Sequence, residues 1–455
     1  MKKLLFSLGI CFLASLSFAQ QSFIGIQNSP RKGMVHAAMN PAELNHFSRK
    51  VEVNLFAVGA MAGNNVLTFK DFLHEEDLLN LAFDRADGPV NVSAEVQLLG
   101  PSFGIKVNKW SFGMMSQVFV KGDIMELNVD LGRVFNNGSF DNEVYTVEFD
   151  NSSNQRVIAS GWAELGLVAG REIWADESHL LSAGGTFKLL IPGAYVNIGM
   201  DNLLGTFSQN QDASNLSNAR GNLNISYPEE LEQWDDEAQL LNRFSLNNIS
   251  GFAVDLGLSH QWKKNGITLF SSGLSIKNLG GMGFGSGQVT NNYSMDIPEG
   301  EFFRLDQLEG NLDEIEGQLL SSGYFTKDSQ RNVSDLSLPT ILSAYTDMRV
   351  SRVFHISAFG QYRLSDQENN TQISLQNVIA LTPRLIWGQF EIYSPWAIYE
   401  ISGLTGGAGL RWGGFFIGSQ SVLTGFLTGT RQADVHVGLS LGFGKNKQKP
   451  ERTDF

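Results

Sequence analysis

The seven histidines of this 455-residue chain are the first residues to ask about chemistry, and their spacing argues against it. His36, His46, His74, His179, His260, His355 and His436 are scattered along the chain; none pairs with another at metal-ligand spacing, and no His-Glu-x-x-His run occurs. There is no strand-to-helix nucleophile elbow and no phosphate-cradling Gly-Lys loop. Paired carboxylates such as Asp235-Asp236 lie in an acidic amphipathic run, where solvation is their ordinary role. The remaining charges of interest are Glu95, Glu164, Asp255, Lys188 and Lys277, each on the polar side of an alternating segment. A Lys or Arg facing lipid at mid-membrane costs about 2–4 kcal/mol, so in a barrel these groups face the lumen as hydrogen-bonded ion pairs. The expectation is a non-enzyme with no cofactor and no metal centre.

The elements that carry these charges have period two. Val435, Val437, Leu439, Leu441 and Phe443 alternate with His436, Gly438, Ser440 and Gly442. Phe252, Val254, Leu256 and Leu258 alternate with Ala253, Asp255, Gly257 and Ser259; 92–98 and 163–170 repeat the pattern. Side chains on a strand alternate sides, so each segment has one oily face and one polar or tiny face. Several run nine to twelve residues or longer, the length a tilted strand needs to cross a bilayer. Short turns at 108–109, 174–178, 263–266 and 413–414 read as hairpins, with Trp110, Trp174, Trp262 and Trp412 beside them where an interfacial girdle belongs. The long alternating segments predict about fourteen strands, with twelve to sixteen allowed.

Composition agrees. Charged residues are 18% of the chain, Gly numbers 48 and Phe 32. A formal net charge of −14 argues against a nucleic-acid partner, which needs a basic surface. Lys2 and Lys3, the apolar run 4–16 and Ser17-Phe18-Ala19 form an export leader with cleavage near Ala19. Cys11 lies inside that leader, so the mature chain has no thiol; losing Lys2 and Lys3 leaves 31 basic residues against 47 acidic. No other stretch is apolar for long enough to form a spanning helix.

Three insertions have helical period. Leu305, Leu308, Leu312, Ile315 and Leu319, spaced 3, 4, 3 and 4, form an apolar stripe with acids opposite, and Leu231, Trp234, Ala238, Leu241 and Phe244 do the same. A weaker case surrounds Phe72, Leu73, Leu78 and Leu79. Such helices belong on the outer rim, either as a solvated cap or as a lid whose stripe (Leu231, Trp234, Leu241, Leu305, Leu308, Leu312, Ile315, Leu319) lines a groove.

At Asn40-Pro41-Ala42, after His36-Ala37-Ala38-Met39, the chain resembles the N-terminal plug of FadL-like outer-membrane proteins. The stretch 251–258, the return ending in 275–280, and Ser337-Leu338-Pro339-Thr340 also resemble that family, especially its Bacteroidota members, some of them PorV-like. The resemblance implies an all-β fold: a closed antiparallel transmembrane β-barrel of about fourteen strands, a lumenal plug with its hatch motif at Asn40, Pro41 and Ala42, and short amphipathic helices in outer loops. The expected layout is a leader at 1–19, a plug at 20–49, a barrel over 50–444 and a basic periplasmic tail at 445–455. Outer-membrane lipid is the expected surround. Passage of a hydrophobic small molecule is the first expected function. A scaffold or shuttle role with type IX secretion-system proteins, or in surface attachment, is the second; a soluble secreted β protein is the third.

Overall fold

Residues with an apolar side and a polar side form strands only where both sides find a suitable neighbour, and here the ring of strands closes on itself to provide them. A computed structural model describes residues 21–75, 77–137, 145–210, 213–228, 243–284, 287–308, 312–328 and 335–445. The expected leader and tail fall outside these, apart from Lys445. In chain order the strands are β1 (Arg49–Asn64), β2 (Val90–Leu99), β3 (Ser102–Val107), β4 (Trp110–Leu127), β5 (Tyr145–Asn151), β6 (Gln155–Ala175), β7 (His179–Asn210) and β8 (Ala213–Pro228). Then come β9 (Gly251–Lys264), β10 (Ile267–Gly283), β11 (Gln288–Arg304), β12 (Phe325–Asp328), β13 (Asp335–Ser337), β14 (Ile341–Arg349), β15 (Phe354–Arg363) and β16 (Val378–Trp387). The last are β17 (Phe390–Tyr393), β18 (Trp396–Tyr399), β19 (Gly403–Gly406), β20 (Ala408–Trp412), β21 (Phe415–Ser419) and β22 (Gln432–Lys445).

The wall has fourteen antiparallel staves, and β1 closes it by pairing with both β2–β3 and β22. Four staves are made of two strands each: β2–β3, β13–β14, β17–β18 and β19–β20. The breaks fall at Gly100-Pro101, Leu338-Pro339-Thr340, Ser394-Pro395 and Gly407, where proline lacks a ladder donor or glycine permits a bend. The run before the Gly413-Gly414 turn is thus two strands, Gly403–Gly406 and Ala408–Trp412. A closed ring rules out the soluble two-layer alternative: Phe252, Leu256, Leu258, Leu167, Ile379 and Leu404 all stand exposed on the outer face, while Asp255, Glu164 and Ser259 are buried inside. Among the described residues no helix is long and apolar enough to cross a membrane.

Every turn joining staves at the end where β1 starts and β22 finishes is short. The Asn265-Gly266 turn has φ of 55° and 82°, the left-handed pair that a two-residue hairpin needs. Trp110, Trp174, Trp262, Trp387 and Trp412 stand exposed at this end. The opposite end carries the insertions. There β7 runs past the wall and joins β5, β8, β11 and β12 in a rim sheet.

Sequence periodicity only partly located the rim helices. The stretch 305–319 is a turn of 3-10 helix at Leu305–Gln307 and an α-helix at Leu312–Ser321. The 69–83 case is two short helices, Asp71–His74 and Leu78–Arg85. Two further helices, Val129–Asn137 and Val422–Leu427, lie outside those three stretches.

Candidate functional site in the barrel lumen

Asn40 cannot continue the helix Met34–Met39, because the Pro41 ring disfavours helical backbone at the residue before it. Its backbone is extended (φ −145°, ψ 113°), and Pro41 opens the 3-10 turn Pro41–His46. The Asn40 side chain then works in two directions. Its Oδ1 accepts from the Ala42 N–H at 3.0 Å, capping the new turn. Its Nδ2 donates to the main-chain oxygens of Leu258 (2.9 Å) and Leu274 (3.3 Å) in β9 and β10.

Two wall glycines make this approach possible. A Cβ on Gly257 would collide with Asn40 Oδ1, and one on Gly184 would lie 2.5 Å from the Pro41 carbonyl carbon. The small-residue side of β7 and β9 is therefore the docking surface for Asn40-Pro41-Ala42.

Residues 21–48 lie inside the ring, and the wall supplies donors for their irregular backbone. Lys277 Nζ donates to the Ala38 oxygen (2.8 Å), Ser275 Oγ to Met39 (3.1 Å), Lys106 Nζ to Asn45 (2.6 Å) and Arg384 Nη2 to Gly25 (2.8 Å). At the turn end, Arg31 donates to the oxygens of Gln389 (2.7 Å) and Phe390 (3.2 Å). Apolar contacts fill the space between: Phe23, Ile26, Met34, Val35, Leu44 and Phe47 pack with the wall's Leu99, Met115, Tyr393 and Phe416.

The strand charges pair between neighbouring strands on the lumenal side. Lys188 lies between Glu164 (3.1 Å) and Asp255 (3.0 Å), Lys121 meets Glu95 (2.9 Å), and Arg384 meets Glu391 (2.6 Å). Lys277, in contrast, serves the inserted segment. Within that segment Lys32 pairs with Glu43 (3.0 Å), which also accepts from the Tyr345 hydroxyl. Burial pushes the Glu43 carboxyl above its ordinary pKa, with Lys32 opposing. Burial, reinforced by Lys32, holds the His36 and His46 imidazoles well below theirs.

A second closure comes from the other end and was not foreseen. The connection between β15 and β16 folds into the mouth. Arg156 gathers it, donating to the oxygens of Gln367 (2.6 Å) and Gln372 (3.0 Å). Lys121 Nζ donates to the Ser374 oxygen (2.8 Å), while its partner Glu95 accepts from the Gln21 N–H (2.7 Å). The two insertions thus meet at the Lys121–Glu95 pair. The available sequence signal was an arginine, Arg156, on the inward side of β6. Beside the segment a small cavity of about 30 Å³ is lined by Phe23, Met39 and Phe359 together with Gln27, Gln97 and Lys277.

Of the expected rim stripe, Leu305, Leu308, Ile315 and Leu319 pack with Phe149, Phe207, Met295, Phe303 and Phe325 as the interior of the rim layer. Leu312 opens the helix Leu312–Ser321. Leu231, Trp234 and Leu241 lie outside the described residues. Gly438-Leu439-Ser440-Leu441-Gly442 does read Gly-x-Ser-x-Gly, but it lies within β22 rather than on a strand-to-helix turn, and Ser440 Oγ donates to Asn54 Oδ1 at 2.9 Å.

A model for a family of unknown function, DUF5723, matches residues 41–420. The chain belongs to this family. Its match opens at Pro41, within the docked motif, and spans most of the wall. No curated protein matches. Solved structures that resemble the chain include the Ralstonia pickettii toluene transporter TbuX, at 9% identity over 90% of this chain and 93% of that one, with a TM-score of 0.38. A Pseudomonas aeruginosa FadL homologue resembles it at 11% identity, over 93% and 94% of the two chains, with a TM-score of 0.30. The translocator domain of autotransporter NalP from Neisseria meningitidis does so at 8% identity, over 88% and 91%, with a TM-score of 0.31.

Proposed function

We propose that this protein is an outer-membrane passage barrel, closed at rest by its N-terminal segment, through which a hydrophobic small molecule crosses when that segment moves. The observation that carries this reading is what fills the lumen. Fourteen staves enclose more space than wall side chains occupy in small barrels. Here a peptide takes up the surplus. Residues 21–48 add no strand to the ring and hold it through side-chain contacts. Such a stopper can shift without unmaking the ladder. A hydrophobic cargo is supported by the apolar packing between segment and wall, where Phe23, Ile26 and Met34 meet Leu99, Met115 and Phe416.

In this reading residues 1–19 are the export leader, 20–49 the hatch, 50–444 the barrel and 445–455 a periplasmic tail. The short-turn end faces the periplasm, as is usual for such barrels. The test is conductance in planar bilayers together with mass spectrometry of molecules that co-purify in detergent. Wild-type protein should be nearly closed, a hatch-displacing variant should conduct, and a lipophilic molecule should co-purify. A displaced hatch without conductance ends this reading.

A second reading, an interaction role at the cell surface, draws on the rim sheet, which has an apolar interior of its own. It takes precedence if co-purification yields a stoichiometric protein and no lipophile.

A further inference from the structure

The rim sheet has two unlike faces. One carries Leu216, Met295, Ile297 and Phe303 and packs with Leu319 of the helix Leu312–Ser321. The other continues the lumenal side of β7 and carries amides and carboxylates in register. Asp201 pairs with Asn222, Gly199 with Asn224, Asn224 with Asn292, and Asn292 with Asp328. With Asn370 of the mouth connection, these groups line a cleft of about 330 Å³. That volume is within the range of small-molecule sites.

Hydrogen bonds fix the floor of the cleft. Asn197 Nδ2 donates to Asn224 Oδ1 (2.7 Å), and Asn224 Nδ2 donates to Asn292 Oδ1 (2.7 Å). Asn222 Nδ2 donates to Asp201 Oδ1 (2.6 Å), and Ser294 Oγ donates to Asp328 Oδ2 (3.1 Å). Each donor or acceptor used leaves another. Among the described residues, Asn292 Nδ2, Asn222 Oδ1, Asp201 Oδ2 and Asp328 Oδ1 have no protein partner. Nearby, Asn154 is buried with an Oδ1 that has no partner, while its Nδ2 donates to Asn370 Oδ1 (2.9 Å).

We propose that this cleft binds a neutral saccharide. A sugar hydroxyl both donates and accepts, and so does an asparagine amide; a carboxylate takes hydroxyl hydrogens. Because the amide ladder already holds these groups in place, binding has little ordering cost. Other chemistries fit less well. An apolar molecule would strip water from these groups and leave them unpaired. An anion would meet Asp201 and Asp328, and the neighbouring Lys327 is already paired with Glu316. A calcium ion wants six to eight oxygens, and among the described residues no three His, Cys, Asp or Glu side chains are grouped to hold a metal. The inference stands apart from the passage role, since neither the hatch nor its cargo enters it.

The experiment is calorimetric titration of the full-length protein in detergent with malto-, cello-, xylo- and mannohexaose, with chelator and then with excess calcium. A parallel arm uses nanodiscs containing lipopolysaccharide, because a glycolipid headgroup presents the same hydroxyls as a soluble chain. At least one sugar should bind, and Asn292→Leu should weaken it about tenfold, the equivalent of about 1.4 kcal/mol. The double variant Asp201→Asn, Asp328→Asn keeps the shape and should weaken binding less. Binding only in the nanodisc arm, with the same response to Asn292→Leu, assigns the site to a headgroup. No binding in either arm, binding indifferent to Asn292→Leu, or calcium uptake without sugar binding overturns the proposal. Far-UV circular dichroism confirms that each variant keeps its barrel.

Discussion

The side-chain amide of Asn40 donates to the main-chain oxygen of Leu258 at 2.9 Å, across 218 residues of sequence. One residue of the inserted segment thereby recognises the wall through backbone, at a place where Gly257 leaves room for it.

Gly257→Val should dislodge the segment while leaving the ladder intact, because a valine on β9 suits a strand but collides with Asn40. Asn40→Ala should do the same more mildly, losing a cap of about 1 kcal/mol and two wall bonds of about 1 kcal/mol each. Limited proteolysis reads the result: cleavage within 21–48 should be slow in the wild type and fast in both variants. Equal protection in all three would remove Asn40 from the docking role.

Lys188→Met should be severely destabilising, since it leaves Glu164 and Asp255 buried without their cation. Removing one partner of a buried pair costs about 3–5 kcal/mol. Adding Glu164→Gln and Asp255→Asn to Lys188→Met should recover much of the loss. Urea unfolding in detergent measures both; a single variant as stable as wild type would mean that water reaches the triad.

Hatch docking should weaken in acid. His36 and His46 are held neutral when docked, but return towards the ordinary value of 6.5 when released. Below that pH the released segment takes up protons that the docked one refuses, so their contribution to docking is lost as pH falls. Glu43 acts in the opposite sense: its raised value favours the docked state in acid, and that contribution fades as pH rises. Two imidazoles outnumber one carboxyl, and each unmatched proton is worth about 1.4 kcal/mol per pH unit. Proteolysis within 21–48 should therefore accelerate on going from neutral to mildly acidic pH, and His36→Asn with His46→Asn should flatten the response. A flat wild-type profile contradicts the assignment.

Trp110, Trp174, Trp262, Trp387 and Trp412 should report one membrane interface. In reconstituted protein, lipids brominated near the headgroup should quench tryptophan emission more than lipids brominated at the chain ends. The reverse order would place the short-turn end away from the interface.

Much of the wall was legible in the residues. Strand parity is local: Leu256 and Leu258 on one side of β9, Asp255 and Gly257 on the other, follow from the geometry of an extended chain. The hairpin at Asn265-Gly266 is equally local, since those residue types accept left-handed backbone. The rim was harder to read, because short helices such as Val422–Leu427 owe their form to tertiary contacts rather than to an apolar stripe.

By itself the amino-acid order determined that strands with one oily face line a lumen of charges, and that the chain breaks direction at Asn40-Pro41. Only the tertiary structure decided which charges meet, that Lys188 takes both Glu164 and Asp255 while Lys277 turns to the Ala38 carbonyl. It alone brought the mouth connection under Arg156 and set Asn222, Asn224 and Asn292 side by side. The reason is register. Alternation says which side a residue faces, but its neighbour on that side comes from a strand whose offset is set by ring closure and by what fills the ring.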